Sequence, residues 1–224
     1  ISLVFEPSYA DRAEVLYESQ RDAAQVSYVH TADGSIGSVG YGGIVARERG
    51  QSTVQGFGDY IDSWFDASVS HSAFGNGFSN ITDQQLTSLR VGTSLSFADG
   101  HFGVGRRIND SFAILYPHKT LKGHAVVAGQ SLAENLYLSK SGALGGAVNG
   151  FLSSYVTQTV QYDVDRPPPG YDIGTGVIRV KPTYRSGYAL EIGTDAFVSA
   201  MGTLMGRDGK PVSLAGGRVI GRDG

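Results

Sequence analysis

Between Ser88 and Phe97 the chain alternates: Leu89, Val91, Leu95 and Phe97 fall on one side, and Ser88, Arg90, Gly92, Ser94 and Ser96 on the other. A period of two is that of a β-strand, whose successive side chains point to opposite faces. Ala98-Asp99-Gly100 then interrupts the pattern. Phe102 and Val104 resume it, with Gly103 and Gly105 opposite. An earlier instance sets Val26 and Tyr28 against Gln25 and Ser27, turns at Ala32-Asp33-Gly34, and continues through Ile36, Val39, Tyr41 and Ile44. Asp-Gly between alternating runs is a hairpin signal, because both residues tolerate positive φ. Residues 51–73 give one strand or two, through Phe57, Ile61, Phe65 and Val69, and the polar run 74–85 is the longest loop expected in this half. Helical periodicity is almost absent, so the fold class is all-β.

Residues 1–110 therefore read as strands of ~10 residues, apolar on one side and small or polar on the other. Two architectures share that signature: the strands of a transmembrane β-barrel and a soluble β-sandwich. Composition narrows the field around them. Of 224 residues, 41% are hydrophobic, too many for a disordered chain, while 32 glycines and a charged fraction of only 17% suit many strands and tight turns. The net charge is −3 with no basic run, which gives nucleic-acid binding no electrostatic support. No cysteine is present, so neither a disulfide framework nor thiolate chemistry is available. No apolar run approaches the ~18 residues of a membrane helix. The opening Ile-Ser-Leu-Val-Phe shows no signal peptide, and the closing Gly-Arg-Asp-Gly is turn-like; the chain reads as a piece of something longer.

The texture changes near Asn109-Asp110-Ser111. Strands are expected at 111–117, 124–129, 135–139, within 142–165, at 176–182, at 188–193 and at 197–205, with a turn at Asp208-Gly209-Lys210-Pro211. In the 142–165 stretch a Gly-rich opening leads to one long strand, with Val156, Val160, Tyr162 and Val164 set against Thr157, Gln161 and Asp163. This spacing suits a small β-sandwich. Boundaries near residues 110 and 193 divide the chain into 1–110, 111–192 and 193–224.

Catalytic chemistry has little to stand on. Five histidines (30, 71, 101, 118 and 124) are scattered without metal-ligand spacing, and no nucleophile elbow, phosphate loop or complete dinucleotide fingerprint occurs. Asp163 and Asp165 share a strand face but run straight into prolines, where turn or cap duty accounts for them; Asp59 and Asp62 face a turn or a lumen. Gly40-Tyr41-Gly42-Gly43 reads as strand glycine making room for close packing. No catalytic residue, metal ligand or cofactor site is assigned, and no small-molecule substrate is expected.

The stretch Arg166-Pro167-Pro168-Pro169-Gly170-Tyr171-Asp172 is the stiffest in the chain. The prolines fix φ and lack an N–H, and Arg166 before them is expected to be extended. Such a spacer keeps the flanking strands from forming a tight hairpin. Asp172 is placed to close a turn onto the backbone two residues on. A Pro-flanked strand cannot pair fully in its own sheet, so it is either a stiff edge connection or a docking edge for another chain. Arg166, Pro167, Pro168, Pro169, Tyr171 and Asp172 are the candidate partner-binding residues.

The succession from Ile108-Asn109-Asp110-Ser111-Phe112-Ala113-Ile114-Leu115, through the Gly-rich 142–165 stretch, to Gly170-Tyr171-Asp172 and the run of Gly202, Leu204, Gly209, Pro211 and Val219 resembles the C-terminal region of fimbrial outer-membrane ushers, the archaic class of the chaperone–usher pathway above all. The likeness is strongest from Asp110 onward and rests on pattern and position before it. It implies the last strands of a transmembrane β-barrel, a first periplasmic C-terminal β-sandwich domain and the start of a second, truncated here. It also implies a function: ushers receive periplasmic chaperone–pilin complexes, assemble and secrete the pilus by donor-strand exchange without nucleotide, and hold the newest chaperone–subunit pair on their C-terminal domains. The expected partners are those complexes and outer-membrane lipid, with an usher dimer also allowed. So few strands of a large barrel cannot close, and an open, curled sheet is expected of this stretch alone. Two other readings stand beside it. One is a secreted or surface β-sandwich binding module, adhesin-like, which calls for an exposed aromatic row; the other is an all-β hydrolase, which calls for an acid/base cluster the sequence does not offer.

Overall fold

The computed structural model describes residues 1–129, 136–195, 203 and 205–211. Among these residues the chain is all-β, with fifteen strands and three single-turn 3-10 helices. The first eight strands run β1 (Ser2–Phe5), β2 (Asp11–Glu18), β3 (Ala23–His30), β4 (Val39–Glu48), β5 (Gln51–Ile61), β6 (Phe65–Asn76), β7 (Gln84–Ala98) and β8 (His101–Gly105). They form one antiparallel meander in chain order. The sheet is open, and closes into no barrel.

Residues 51–73 are two strands, joined through the turn 62–64, where the Asp62 carboxylate accepts the Trp64 N–H at 3.1 Å. The loop expected at 74–85 is shorter, because the ladder runs out to Phe74↔Gln84. Asp99 (φ 45°) and Gly100 (φ 80°) make the tight turn that their sequence demands. The connection at 31–38 is wider, and Ile36 lies in it rather than in a strand.

β7 changes partner along its length. Gln84–Thr93 pairs with β6, whereas Ser94–Ala98 pairs with β8. The β7–β8 hairpin therefore projects past the end of the sheet that carries the turns 6–10, 31–38 and 62–64. On its other side β8 is covered: Gly146 N–H donates to Phe102 O at 2.9 Å and Val104 N–H to Leu144 O at 3.0 Å.

The remaining strands are β9 (Ser111–Pro117), β10 (Val126–Gly129), β11 (Tyr137–Lys140), β12 (Ala147–Leu152), β13 (Gln158–Val164), β14 (Val177–Val180) and β15 (Gly187–Ile192). They make a four-stranded sheet, β11-β10-β13-β14, and a three-stranded sheet, β12-β9-β15. Most of the strand positions expected here hold. The exception is 142–165, which is two strands, β12 and β13, parted where Tyr155 takes φ 62°. Val156 lies in that break and is exposed, whereas Val160, Tyr162 and Val164 are buried as the alternation demands.

These two sheets share one core. Ala113, Leu115, Ala147, Leu152 and Ile192 from one meet Val126, Ala128, Val160, Tyr162, Val164 and Val180 from the other. Ile114 is also fully buried but points the opposite way, where a Cβ on Gly146 would lie 2.5 Å from its Cγ2. The strand expected at 197–205 falls largely outside the described residues. The turn at 208–211 is present, with Gly206 N–H donating to Lys210 O at 2.8 Å.

Candidate functional site

The ladder registers fix which residues share a face of the eight-stranded sheet. One face carries Leu3, Phe5, Val15, Tyr17, Val26, Tyr28, Val39, Tyr41, Val45, Val54, Tyr60, Phe65, Val69, Leu89, Val91, Leu95, Phe97, Phe102 and Val104, with the polar His30, Ser52, His71, Gln85, Thr87 and Thr93 among them. Among the described strand residues its charged members are Asp11 and Arg47, both at strand ends. Its aromatics gather toward the end bearing the turns 31–38 and 62–64: Tyr28–Tyr41 centroids are 6.2 Å apart and Tyr60–Phe65 6.0 Å. These side chains are not packed away. Val26, Val45, Val69, Leu89 and Val91 are all exposed.

The opposite face carries Arg12, Glu14, Gln25, Ser27, Gly40, Gly42, Thr53, Gln55, Asp59, Asp66, Ser68, Ser70, Ser72, Ser88, Arg90 and Gly92, with Leu16, Val29, Ile44, Phe57, Phe74 and Leu86 among them. Gly40 and Gly42 do make room, as their spacing suggested: each is directly opposite a larger residue, Asp59 and Phe57, and a Cβ at either would lie 2.5 Å from that side chain. Asp59 faces this polar side, Asp62 the turn.

The small two-sheet unit docks on the polar-face side of the β7–β8 hairpin. There a Cβ at Gly103 would lie 2.7 Å from Val148 Cγ2, and one at Gly105 2.7 Å from Val148 Cβ, so only glycine permits the approach. His101 stacks on Tyr116 at 3.5 Å between centroids. Arg106 ties the junction. Its Nη1 donates to Gly34 O at 3.2 Å, its Nη2 to Leu138 O at 2.9 Å, and its guanidinium lies 5.0 Å over the Phe151 ring. Burial lowers its pKa, with the Asp66 charge pulling the other way. Ile36 N–H donates to Tyr137 O at 3.1 Å, and Ser63 Oγ accepts the Lys140 N–H at 2.9 Å. A cleft of about 550 Å³ opens beside this junction, lined by His101, Tyr116, His124 and several glycines. Among the described residues no group of histidine and carboxylate side chains could hold a metal.

The six candidate partner-binding residues lie in one loop, 165–176, between β13 and β14. Those two strands do pair, from Gln158↔Val180 to Gln161↔Val177, but through this wide connection and not a tight turn. Arg166 departs from expectation: it is left-handed at φ 49°, not extended. The carboxylate of Asp165 explains the tight bend, gripping Lys140 Nζ at 3.1 Å and Arg166 Nε at 3.4 Å. Lys140 first, then Arg166, holds the Asp165 carboxyl below its ordinary value. Pro168, Pro169, Gly170 (φ 84°) and Tyr171 turn together, Tyr171 N–H reaching Pro168 O at 3.4 Å. The Asp172 side chain accepts the Gly174 N–H at 2.7 Å, the turn its position suggested. Two supports escaped sequence reasoning. Tyr162 reads as core by alternation, yet its hydroxyl donates to Ile173 O at 2.8 Å and anchors the loop. Lys140 is a long-range partner that no local pattern reveals.

β14 is an edge strand. Tyr162 N–H donates to Gly176 O at 2.9 Å. Antiparallel bonding alternates along the ladder, so Ile178 and Val180 also bond toward β13. Val177 and Arg179 therefore aim their N–H and C=O groups away from the sheet.

No protein-family model matches the chain, and no curated protein does. Among solved structures it is similar to the Bacillus anthracis TIE protein, with a TM-score of 0.23 and 11% identity over 84% of this chain. The chain spans 41% of that protein's length, and a likeness this slight carries no conclusion about fold or function.

Proposed function

We propose that the chain is the C-terminal part of an outer-membrane usher: the last strands of a β-barrel, followed by a periplasmic β-sandwich domain and the beginning of another. The observation that carries this reading is the segregation of the two sheet faces. Exposed Val and Leu without a mid-strand charge, bordered by Tyr and Phe, suit lipid tails and a headgroup boundary. The opposite face, though it also holds apolar residues such as Ile44 and Phe57, carries the mid-strand charges and most of the serines of the sheet, which suits a wet lumen. Strands of 10 to 12 residues in β4, β5 and β6 match the length that crosses a bilayer when tilted. The small unit sits at the mouth of the polar face, where cargo delivered from the periplasm would pass, and its loop-flanked β14 edge supplies a docking strand. In this role the protein assembles and exports pilus subunits brought by a chaperone, and has no catalytic group of its own.

The adhesin-like alternative has one observation in its favour, since the sheet does expose an aromatic band. At one end that band holds a polar cluster, where the Tyr28 hydroxyl and His30 both meet the Asp11 carboxylate at 2.7 Å and His30 stacks on Tyr41. The middle of the face, through Val45, Val54, Val69, Leu89 and Val91, is aliphatic and fits lipid better than a sugar or peptide ligand. The deciding experiment is fractionation of cells expressing the full parent gene, with identification of what co-purifies. Recovery in the outer membrane with a periplasmic chaperone and a pilin supports the usher reading. A soluble secreted product without them overturns it and favours the binding module.

A further inference from the structure

The β14 edge carries more than outward-facing backbone, of which the Val177 carbonyl accepts the Thr175 hydroxyl at 3.3 Å. Around it lie Val177, Tyr155, Val156 and Tyr184, all exposed at 45%, 66%, 52% and 64%. Tyr155 N–H donates to Pro182 O at 2.6 Å, which brings the 155–156 break beside the end of β14. Basic side chains predominate here, although Asp172 lies in the flanking loop and the Asp110 carboxylate acts on Arg185. Arg179 and Lys181 are exposed and make no ion pair among the described residues. Arg185 lies 5.3 Å over the Tyr184 ring. Exposed tyrosine and arginine beside an open strand edge are the composition of an interface core rather than of ordinary surface. The loop 165–176 is braced by Lys140–Asp165, by Tyr162–Ile173 and by the Asp172 turn, so the edge is presented without first having to be ordered.

We propose that β14 accepts an extended, acidic segment of a partner protein, which adds a strand to the β11-β10-β13-β14 sheet. The Val177 and Arg179 backbone groups would form the new ladder. On the face that carries Val177, Arg179 and Lys181, acidic side chains of the added strand would lie against Arg179 and Lys181, and its alternate apolar side chains would fall on the other face, beside Ile178. This names the partner chemistry for the docking role proposed above, and rests on that role alone; it needs neither the membrane nor the pore.

The test uses the full chain and two synthetic peptides, one alternating valine with glutamate and one alternating valine with lysine. Binding is followed by amide exchange at Val177 and Arg179. The glutamate peptide should protect both amides, and bind more weakly as salt rises. The lysine peptide should protect neither. Arg179→Glu with Lys181→Glu should weaken binding about tenfold or more. Arg179→Pro removes an outward N–H that β13 does not use, so it should abolish the added ladder while leaving the thermal melt unchanged. Absence of protection at these amides, equal binding of the two peptides, or full binding by Arg179→Pro would overturn the proposal. Each would mean that Lys181 and Pro182 merely close the edge against aggregation. These results are independent of where the parent protein fractionates, so this proposal and the usher reading can fail separately.

Discussion

Replacing Arg106 by Met should loosen the small β unit from the eight-stranded sheet without unfolding either. The substitution keeps most of the aliphatic bulk and removes the guanidinium. Two charge-assisted bonds, to Gly34 O and Leu138 O, are lost; at ~1.5 kcal/mol each they contribute ~3 kcal/mol. The contact over Phe151 adds ~0.5–1 kcal/mol. Against this, the variant no longer desolvates a cation, the main cause of the lowered Arg106 pKa, which returns ~1–2 kcal/mol. The net loss is about 2 kcal/mol, or roughly thirtyfold in the docking equilibrium. The Ile36 amide reports that equilibrium directly, because its acceptor, Tyr137 O, belongs to the other unit. Hydrogen exchange at Ile36 should accelerate about thirtyfold, while the amides of Val127 and Ala128, in the small unit's own core, keep their protection. Unchanged exchange at Ile36 would refute the latch. Equal acceleration at Val127 would show that Arg106 supports the whole unit and not its attachment.

Other consequences are open to the same kind of check. Gly105→Val places a branched side chain where a Cβ alone would lie 2.7 Å from Val148 Cβ, and should cost about 1–3 kcal/mol in denaturant titration. Leu115→Ala, fully buried between the two small sheets, should cost about 2–5 kcal/mol by the same measurement. The carboxyls of Asp110, held by Ser154, and Asp165, held by Lys140, both titrate below their unfolded value of about 3.9. Their stabilisation is therefore complete above that pH and is lost as pH falls through the folded values. Urea midpoints measured downward from pH 5 should decline, and decline less steeply in Asp165→Asn. Val69→Arg on the apolar face should lower insertion into lipid vesicles by about 2–4 kcal/mol, whereas Ser70→Arg, its neighbour on the polar face, should change it little; equal effects would argue against lipid on one side.

Strand content was legible because alternation is a local signal: Leu89 to Phe97 could be nothing else, and Asp99-Gly100 folds as its chemistry requires. Boundaries were legible only where a breaker residue marked them. The division of 142–165 was missed because its turn uses Tyr155 in a left-handed conformation, and tyrosine advertises no turn. Arg166 was misread for a related reason: the preference of a residue before proline gave way to two ion pairs on Asp165, one of them with Lys140, remote in sequence. The candidate loop was visible through its prolines and Asp172. Its anchor, the Tyr162 hydroxyl, was not, since alternation tells which way a side chain points but not what its polar tip meets. The junction through Arg106, Ile36 and Ser63 had no sequence signal, because it joins loops whose proximity only the tertiary fold creates.

The difference between the two sheet faces is the central claim, and the chain's lack of cysteine makes it measurable one position at a time. Single cysteines at Val26, Val45, Val69 and Leu89, and at Ser27, Ala46, Ser70 and Ser88 beside them, would be introduced into the full-length parent protein in intact outer membranes, with any cysteine outside this chain first replaced by serine. Each would then be challenged with a membrane-impermeant, water-soluble thiol reagent. The expected result is a strict alternation, with the first set protected and the second labelled. Labelling of both sets at equal rates would mean that water reaches both faces, and would contradict the barrel reading.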